Sequence, residues 1–110
     1  MNAAELVDRL GLTVHVLGEP ERPVTGGYTG DLLSWVMGRA PAEGAWITIM
    51  SNVNVAAVAL LADVSLILLA EGVTPDPALL DRARREGMNL CSSPLSAYAL
   101  AWKLHELTGA

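Results

Sequence analysis

The sequence is short of several residue types, and each shortage excludes a class of protein. It has a single cysteine, Cys91, so no disulfide forms within the chain, which is typical of a reducing compartment. Charged residues make up 17% of the chain and hydrophobic residues 52%, a composition that excludes disorder and leaves much of the surface uncharged. The first residues carry neither the basic nor the apolar segment of a signal peptide. We therefore expect a cytoplasmic protein.

Basic residues are also scarce. The net charge is −5 and the sequence pI is about 4.8, whereas nucleic-acid-binding domains carry a basic stripe. Lys103 is the one lysine, and the only basic cluster, Arg82, Arg84 and Arg85, is near the end of a predicted helix. There it complements the helix dipole and faces solvent. We therefore expect no nucleic acid among the partners.

No stretch of the sequence is apolar enough to predict a membrane span. The longest apolar region, residues 53–70, is broken by Asn54, Asp63 and Ser65, a pattern that indicates a helix followed by a strand. The chain shows no internal repeat, low-complexity tract or linker, and its 110 residues suffice for one hydrophobic core but not for two. We expect a single domain over residues 1–110 and no association with membranes.

Helical and strand patterns alternate along the chain. Several helices have recognisable ends, such as Asn2 and Gly11 around the first and Asp76-Pro77 and Gly87 around the fourth. The alternation predicts an α/β fold of three layers, in which helices cover both faces of a mostly parallel sheet of about four strands. The strands are predicted at residues 13–17, 46–50, 64–70 and 88–91, and the helices at residues 3–10, 31–37, 53–62 and 78–86, with a fifth that Ser93-Pro94 caps and that ends at residue 107.

A glycine-rich segment, residues 24–31, leads into the second predicted helix. Three glycines in five positions, Gly26, Gly27 and Gly30, leave few side chains in the way of the backbone N–H groups. The spacing does not match the Walker A motif, no lysine or arginine follows the glycines, and the dinucleotide-binding fingerprint is also missing. The segment is either a ligand-facing loop or a tight structural turn that enters the helix.

Small polar pairs follow three of the predicted strands at the point where each strand ends. In parallel sheets, ligands sit outside the carboxyl ends of the strands, so these pairs and the glycine-rich segment predict one binding site. Asn52 either meets the ligand or caps the helix that follows it. Glu71 fits a ribose or an amine, or it is simply solvated. The predicted ligand-binding residues are Thr25, Gly26, Gly27, Thr29, Gly30, Asp31, Ser51, Asn52, Glu71, Gly72, Ser92 and Ser93.

No constellation of residues predicts catalysis or a metal site. Cys91 has no histidine near it in sequence, which favours an inert buried thiol over a reactive one. His15 and His105 stand alone, without the cysteine or carboxylate spacing of a metal site. No Ser-His-Asp arrangement is recognisable. We therefore expect a protein that is not an enzyme and that has no cofactor.

The helix predicted at residues 53–62 is apolar on all sides apart from Asn54. A helix on the outside of so small a chain needs a polar face, so the side that does not cover the sheet should meet another surface. The simplest partner is a second copy of the chain, related by a two-fold axis. The sequence predicts a homodimer whose interface includes Val55, Val58 and Leu61.

Four segments give the chain a resemblance to a known family. They are residues 30–34, 46–49, 66–69 and 87–90, the last of them shortly before Ser93-Pro94. On these segments the chain resembles the DRTGG domain family over most of its length, and it is similar to the N-terminal domain of HPr kinase/phosphorylase. The resemblance implies a non-catalytic regulatory or ligand-sensing domain that acts as a homodimer. Its ligand would be a small molecule, nucleotide-like or other, or a partner protein.

The sequence departs from the family at the residues that give the family its name. The Asp-Arg-Thr stretch falls at residues 51–53 and the Thr-Gly-Gly stretch at residues 70–72, where only Gly72 is retained. The lost arginine removes an anion-binding group, which argues against a phosphate ligand. The alternative function is an accessory subunit or an enzyme of phosphoryl-transfer or acyl-phosphate metabolism that works with a companion metabolic enzyme. A kinase would need a phosphate-cradling loop and metal-binding carboxylates, and neither is recognisable here.

Overall fold

The computed structural model describes all 110 residues, which form five helices and five strands. The helices are α1 (Ala3–Leu10), α2 (Leu33–Arg39), α3 (Asn54–Ala62), α4 (Pro77–Glu86) and α5 (Ala97–Thr108). The strands are β1 (Thr13–Leu17), β2 (Gly26–Thr29), β3 (Gly44–Thr48), β4 (Leu66–Leu69) and β5 (Asn89–Ser92). None of the helices is both long enough and apolar enough to cross a bilayer.

The strands form one sheet in the order β1-β5-β4-β3-β2. Strands β2 to β5 are parallel to their neighbours, and β1 is antiparallel to β5. The register between β1 and β5 shifts between Val14 and Val16, which marks a bulge at one edge of the sheet. The prediction of a mostly parallel sheet is confirmed, although the sheet has five strands where about four were expected.

The additional strand is the glycine-rich segment. Gly26–Thr29 is an edge strand that pairs in parallel with β3. Both alternatives that the sequence offered for Gly26 and Gly27, a ligand-facing loop and a tight turn, are therefore wrong. The absence of a side chain at Gly27 is explained by packing, because α5 lies directly over this strand. A Cβ atom at Gly27 would lie 2.5 Å from Cδ2 of Leu104 and 3.3 Å from the carbonyl oxygen of Ala45.

Helices cover both faces of the sheet, as the sequence predicts. Helices α2, α3 and α4 pack on one face around a core that includes Ile67 and Leu79. Helices α1 and α5 pack on the other face around Leu68 and Leu100. Successive side chains of β4 point to opposite faces, so Ile67 and Leu68 belong to different cores. The protein therefore has the predicted three-layer α/β architecture.

The inner side of α3 contains two residues that the sequence analysis assigned to a dimer interface. Val55 is fully buried and Val58 is 6% exposed, both within the core that the helix forms with the sheet. This part of the interface prediction is wrong, because a helix that is apolar all round does not reveal which of its sides faces the sheet. Leu61 is 74% exposed and remains available to a second surface.

Two helices, α2 and α5, begin more than one residue later than predicted. Helix α2 begins at Leu33 rather than at Asp31, whose carboxylate binds β3 instead, and it continues through Gly38 to Arg39. Helix α5 is capped by Ser96, whose hydroxyl accepts the N–H of Ala99, so the predicted cap Ser93-Pro94 lies in the connection before the helix.

Candidate functional site

The carboxyl ends of β2, β3, β4 and β5 lie side by side along one edge of the sheet. We call this the carboxyl edge and define it as the ends of these strands together with residues 30–32, 49–53, 70–76 and 93–96. From β4 the chain passes to α4 on one face of the sheet, and from β5 it passes to α5 on the other face. Ligands of α/β proteins bind at such a divergence, where a crevice opens between neighbouring strands.

In this protein, main-chain hydrogen bonds close the divergence between β4 and β5. The N–H of Gly72 donates to the carbonyl of Ser93 at 2.9 Å, and the N–H of Glu71 donates to the carbonyl of Leu95 at 2.8 Å. Glu71 and Gly72 have φ angles of 61° and 73°, and this left-handed turn brings the chain back towards Ser93. The two loops therefore cover the strand ends, and the three concavities of the surface lie elsewhere.

Asp31 connects the ends of β2 and β3. Its Oδ1 accepts the hydroxyl of Thr48 at 2.8 Å and the N–H of Ile49 at 3.0 Å. The buried Thr48 hydroxyl also accepts the N–H of Met50 at 3.2 Å. The other carboxylate oxygen of Asp31 has no hydrogen bond within the chain, so this exposed residue is a structural clamp with one acceptor left for solvent or a ligand.

Ser51 and Asp76 connect the loop after β3 to the start of α4. The hydroxyl of Ser51 donates to Oδ1 of Asp76 at 3.0 Å, and the N–H of Asp76 donates to the carbonyl of Ser51 at 3.0 Å. Asp76 precedes α4 as predicted, but its side chain does not cap the helix because it accepts this hydroxyl instead. The Ser51 side chain is thus already engaged within the protein.

The start of α3 keeps several hydrogen-bond donors free. Oδ1 of Asn52 accepts the N–H of Asn54, the first residue of α3, at 2.9 Å, and the residue at the N-cap position is Val53. The side-chain amide of Asn52 donates no hydrogen bond within the chain, and the main-chain N–H groups of Ser51, Asn52 and Val53 donate none either. All three residues are partly exposed, and the helix dipole adds positive potential at this point.

The carboxyl edge has no basic side chain. Its charged residues are Asp31, Glu71 and Asp76, all of them exposed acids. Arg84 and Arg85 lie in the last turn of α4, away from this edge, where they complement the helix dipole as predicted. A ligand here meets hydrogen-bond donors and three carboxylates, and no basic side chain is present to pair with a phosphate group.

The sheet also brings together His15 and Ser92, a pair that no local pattern predicts. Nε2 of His15 lies 2.8 Å from Oγ of Ser92, across 77 residues of sequence. Only the antiparallel pairing of β1 with β5 creates this contact. The distance is that of a nucleophile and its base, but Ser92 is 7% exposed and no other side chain hydrogen-bonds to His15. The pair therefore ties β1 to β5 and offers no accessible nucleophile.

Cys91 lies one residue before this pair in the middle of the core. It is fully buried, and burial raises the pKa of its thiol from 9.0 to about 12. The predicted burial of this thiol is confirmed, and burial disfavours the nucleophilic thiolate at neutral pH. No group of three or more histidine, cysteine, aspartate or glutamate side chains is arranged to hold a metal ion.

Three of the predicted ligand-binding residues lie away from the carboxyl edge. Thr25, Gly26 and Gly27 are at the opposite end of β2, whereas Thr29, the last residue of that strand, is at the carboxyl edge. Gly27 and Thr29 line a shallow cleft of about 110 Å³ between β2 and α5. The other eight predicted residues lie with Thr29 at the carboxyl edge: Gly30, Asp31, Ser51, Asn52, Glu71, Gly72, Ser92 and Ser93.

A second concavity, of about 60 Å³, lies at the opposite edge of the sheet and contains Arg22. The guanidinium donates to Oδ1 of Asp63 at 2.6 Å and to the carbonyl of Asp63 at 3.0 Å, and it also reaches Glu19 at 3.3 Å. Burial by itself lowers the pKa of Arg22. The hydrogen bonds and charges of Asp63 and Glu19 raise the pKa by more than burial lowers it, so the net shift is upward. The arginine is satisfied by these partners and pins the β1–β2 connection to the end of α3.

Comparison with known proteins supports the fold. No protein-family model matches the sequence, and no curated protein matches it. A solved structure does match: the CBS and DRTGG domains of the regulatory region of Clostridium perfringens pyrophosphatase, complexed with the activator diadenosine tetraphosphate. The TM-score is 0.72 at 15% sequence identity over 94% of this chain, which spans only 45% of that one. This likeness shows a shared fold and agrees with the DRTGG resemblance at that level.

Proposed function

We propose that this protein is a cytoplasmic, non-catalytic regulatory domain that senses a small polar molecule at the carboxyl edge and acts as a homodimer. The observation that carries the proposal is the group of unpaired donors at the start of α3, formed by Asn52 and the main chain of residues 51–53. The exposed carboxylate of Glu71 supplies an acceptor on the same edge. The fold, shared with part of a regulatory region, supports a regulatory role.

The charges of the edge favour one class of ligand. The structural neighbour is complexed with a nucleotide that carries four phosphates. This chain has three carboxylates and no basic group at the carboxyl edge, so we propose a ligand with the hydroxyl or amine groups of a nucleoside and without phosphates. Neutral hydrogen bonds contribute about 0.5–1.5 kcal/mol each, so binding is of modest affinity and depends weakly on salt.

A catalytic role has less support. The one serine–histidine contact, between Ser92 and His15, is inside the sheet, and the one thiol is buried with a raised pKa. An enzyme of phosphoryl transfer would also need groups that hold phosphate, and the carboxyl edge offers acids instead. A binding function uses the groups that are free on this surface.

A thermal-shift screen of nucleosides, amines and nucleotides tests the proposal. A compound at about 100 times its Kd stabilises the native state by about 2.7 kcal/mol, which raises the melting temperature of a domain of this size by roughly 10 °C. Asn52→Asp keeps the oxygen that accepts the N–H of Asn54 and removes the free amide donors, so it should abolish the shift while preserving the fold. Thr25→Ala, at the far end of β2, is the matched control and should leave the shift unchanged.

A further inference from the structure

Exposed apolar side chains are concentrated on one side of the molecule. Ten large hydrophobic residues are exposed, and six of them belong to α2, α3 or the loops beside them: Leu32, Trp35, Met37, Ile49, Leu60 and Leu61. Helices α2 and α3 pack beside each other on the same face of the sheet. We call their outer surface the α2–α3 face and define it by Met37, Gly38, Ala57 and Leu61.

The charge distribution distinguishes this face from the rest of the surface. Residues 44–62, which include all of α3, contain no charged residue, and α2 contains only Arg39. Each of the other three helices carries at least one acid on its exposed side. Since the chain has a net charge of −5, two copies repel each other across most of their surfaces. Across the α2–α3 face, no acidic side chains meet.

Gly38 provides a second observation. It lies inside α2, two residues from the buried Val36, so it is about 200° around the helix from Val36 and faces outward. A Cβ atom there would have no neighbour within 4 Å, so nothing in the chain itself requires glycine at this position. Glycine destabilises a helix relative to alanine, and close approach of another backbone is one of the reasons for its use.

We propose that two copies of the chain meet across a two-fold axis through the α2–α3 face. In this arrangement, the small residues Gly38 and Ala57 leave room for the exposed side chains Met37 and Leu61 of the other copy. The four residues that define the face are uncharged, and the one charged residue of the two helices, Arg39, stacks on the ring of Trp35 at 3.8 Å. An uncharged surface does not select a different partner by charge complementarity, but it is compatible with itself, as a two-fold interface requires. The proposal rests on the homodimer of the proposed function and is independent of its ligand.

Sedimentation equilibrium of the full chain at micromolar concentration tests the interface. We expect the parent chain to be a dimer, and Leu61→Glu to raise the dimer dissociation constant by about 100-fold or more, because it places unpaired carboxylates in the contact. Tyr98→Glu is the matched control, since Tyr98 is 82% exposed on α5, on the opposite face. This control should leave the dissociation constant unchanged, and circular dichroism should show that both variants are folded.

Gly38→Gln distinguishes a role of Gly38 in the dimer contact from a role within its own helix, because the two roles predict different changes in monomer stability and dimer affinity. Glutamine favours the helix over glycine, so the monomer should become more stable, while the larger side chain fills the contact and weakens the dimer about tenfold or more. A parent chain that sediments as a monomer overturns the proposal. So does dissociation by Tyr98→Glu with Leu61→Glu remaining a dimer, or a Gly38→Gln variant that dimerises like the parent.

Failure of this interface is distinguishable from failure of ligand sensing. The Leu61→Glu monomer retains the whole carboxyl edge, so a compound that shifts the melting temperature of the parent should also shift that of this variant. A monomeric parent that still binds such a compound would contradict the interface and leave the ligand site standing. A dimeric parent that responds to no compound would contradict the ligand site alone.

Discussion

The main-chain N–H of Gly72 donates to the carbonyl oxygen of Ser93 at 2.9 Å, across the point where the chain leaves β4 and β5 for opposite faces of the sheet. In other α/β sheets this divergence opens a crevice for ligands. Here the protein's own backbone occupies it. The groups that remain free for a ligand are therefore shifted along the edge to the start of α3, where Asn52 and its neighbours retain unpaired donors.

The left-handed turn that makes this closure predicts opposite effects at its two residues. Gly72→Ala should destabilise the protein by about 1–2 kcal/mol, because alanine disfavours the φ angle of 73°. Glu71→Gly should leave the protein as stable or make it more stable, since glycine relieves the φ angle of 61°. Urea denaturation measures both free energies of unfolding. Equal stability of Gly72→Ala and the parent would refute the role given to this turn.

The clamp at Asp31 predicts a difference between two substitutions. Asp31→Ala should destabilise the fold by about 1–3 kcal/mol, because it removes the acceptor of the buried Thr48 hydroxyl and of the Ile49 N–H. Asp31→Asn retains an oxygen at the same position and should lose clearly less. Chemical denaturation of the two variants and the parent gives the comparison. A larger loss of stability in Asp31→Asn than in Asp31→Ala would show that the charge of Asp31, rather than its acceptor oxygen, holds the two strands together.

The packing of α5 over β2 predicts the tolerance of the two glycines of that strand. Gly27→Val should destabilise the protein by about 1–3 kcal/mol, because its Cβ would lie 2.5 Å from Leu104. Gly26→Ala is the matched control, since a Cβ at Gly26 meets its nearest atom at 3.7 Å, an ordinary contact. Thermal unfolding of both variants provides the measurement. A valine at Gly27 that unfolds at the same temperature as the parent would be inconsistent with this packing.

The buried thiol predicts a loss of stability in alkaline solution. Because the pKa of Cys91 is raised to about 12 in the folded protein from 9.0, the unfolded chain loses this proton first as the pH rises. The stabilisation is complete below pH 9.0 and is lost progressively towards pH 12, with a slope of about 1.4 kcal/mol per pH unit. The free energies of unfolding of the parent and of Cys91→Ala are measured from pH 8 upward. Above pH 9.0, the value for the parent should fall relative to that for the variant with this slope. Parallel pH profiles would contradict it.

Local signals in the sequence were sufficient for most of the fold. Asn2 and Gly11 mark the two ends of α1, as predicted. These ends were predictable because a capping box and a left-handed glycine depend on only a few neighbouring residues. The strand β2 was missed because its glycines suggest a turn. For Gly27 the cause is the distant helix α5, because a Cβ atom at this position would lie 2.5 Å from Cδ2 of Leu104.

The candidate site could be predicted only in outline. The carboxyl edge follows from the order of strands and helices, so nine of the predicted residues lie there. The closure between Gly72 and Ser93 and the contact between His15 and Ser92 depend on the pairing of distant segments, which no local pattern encodes. The burial of Val55 and Val58 depends on how α3 is rotated against the sheet, and its uniform hydrophobicity hides that rotation.

The central claim is that a small polar molecule without phosphates binds at the carboxyl edge, and backbone amide NMR tests it most directly. The labelled protein is titrated with uncharged nucleosides, with amines and with nucleoside phosphates. We expect shift changes at the amides of Ser51, Asn52, Val53 and Glu71 with one of the first two groups, weakly dependent on salt, and smaller changes with the phosphates. Changes confined to residues 82–85 or to the cleft beside Gly27, or no change with any compound, would contradict the claim.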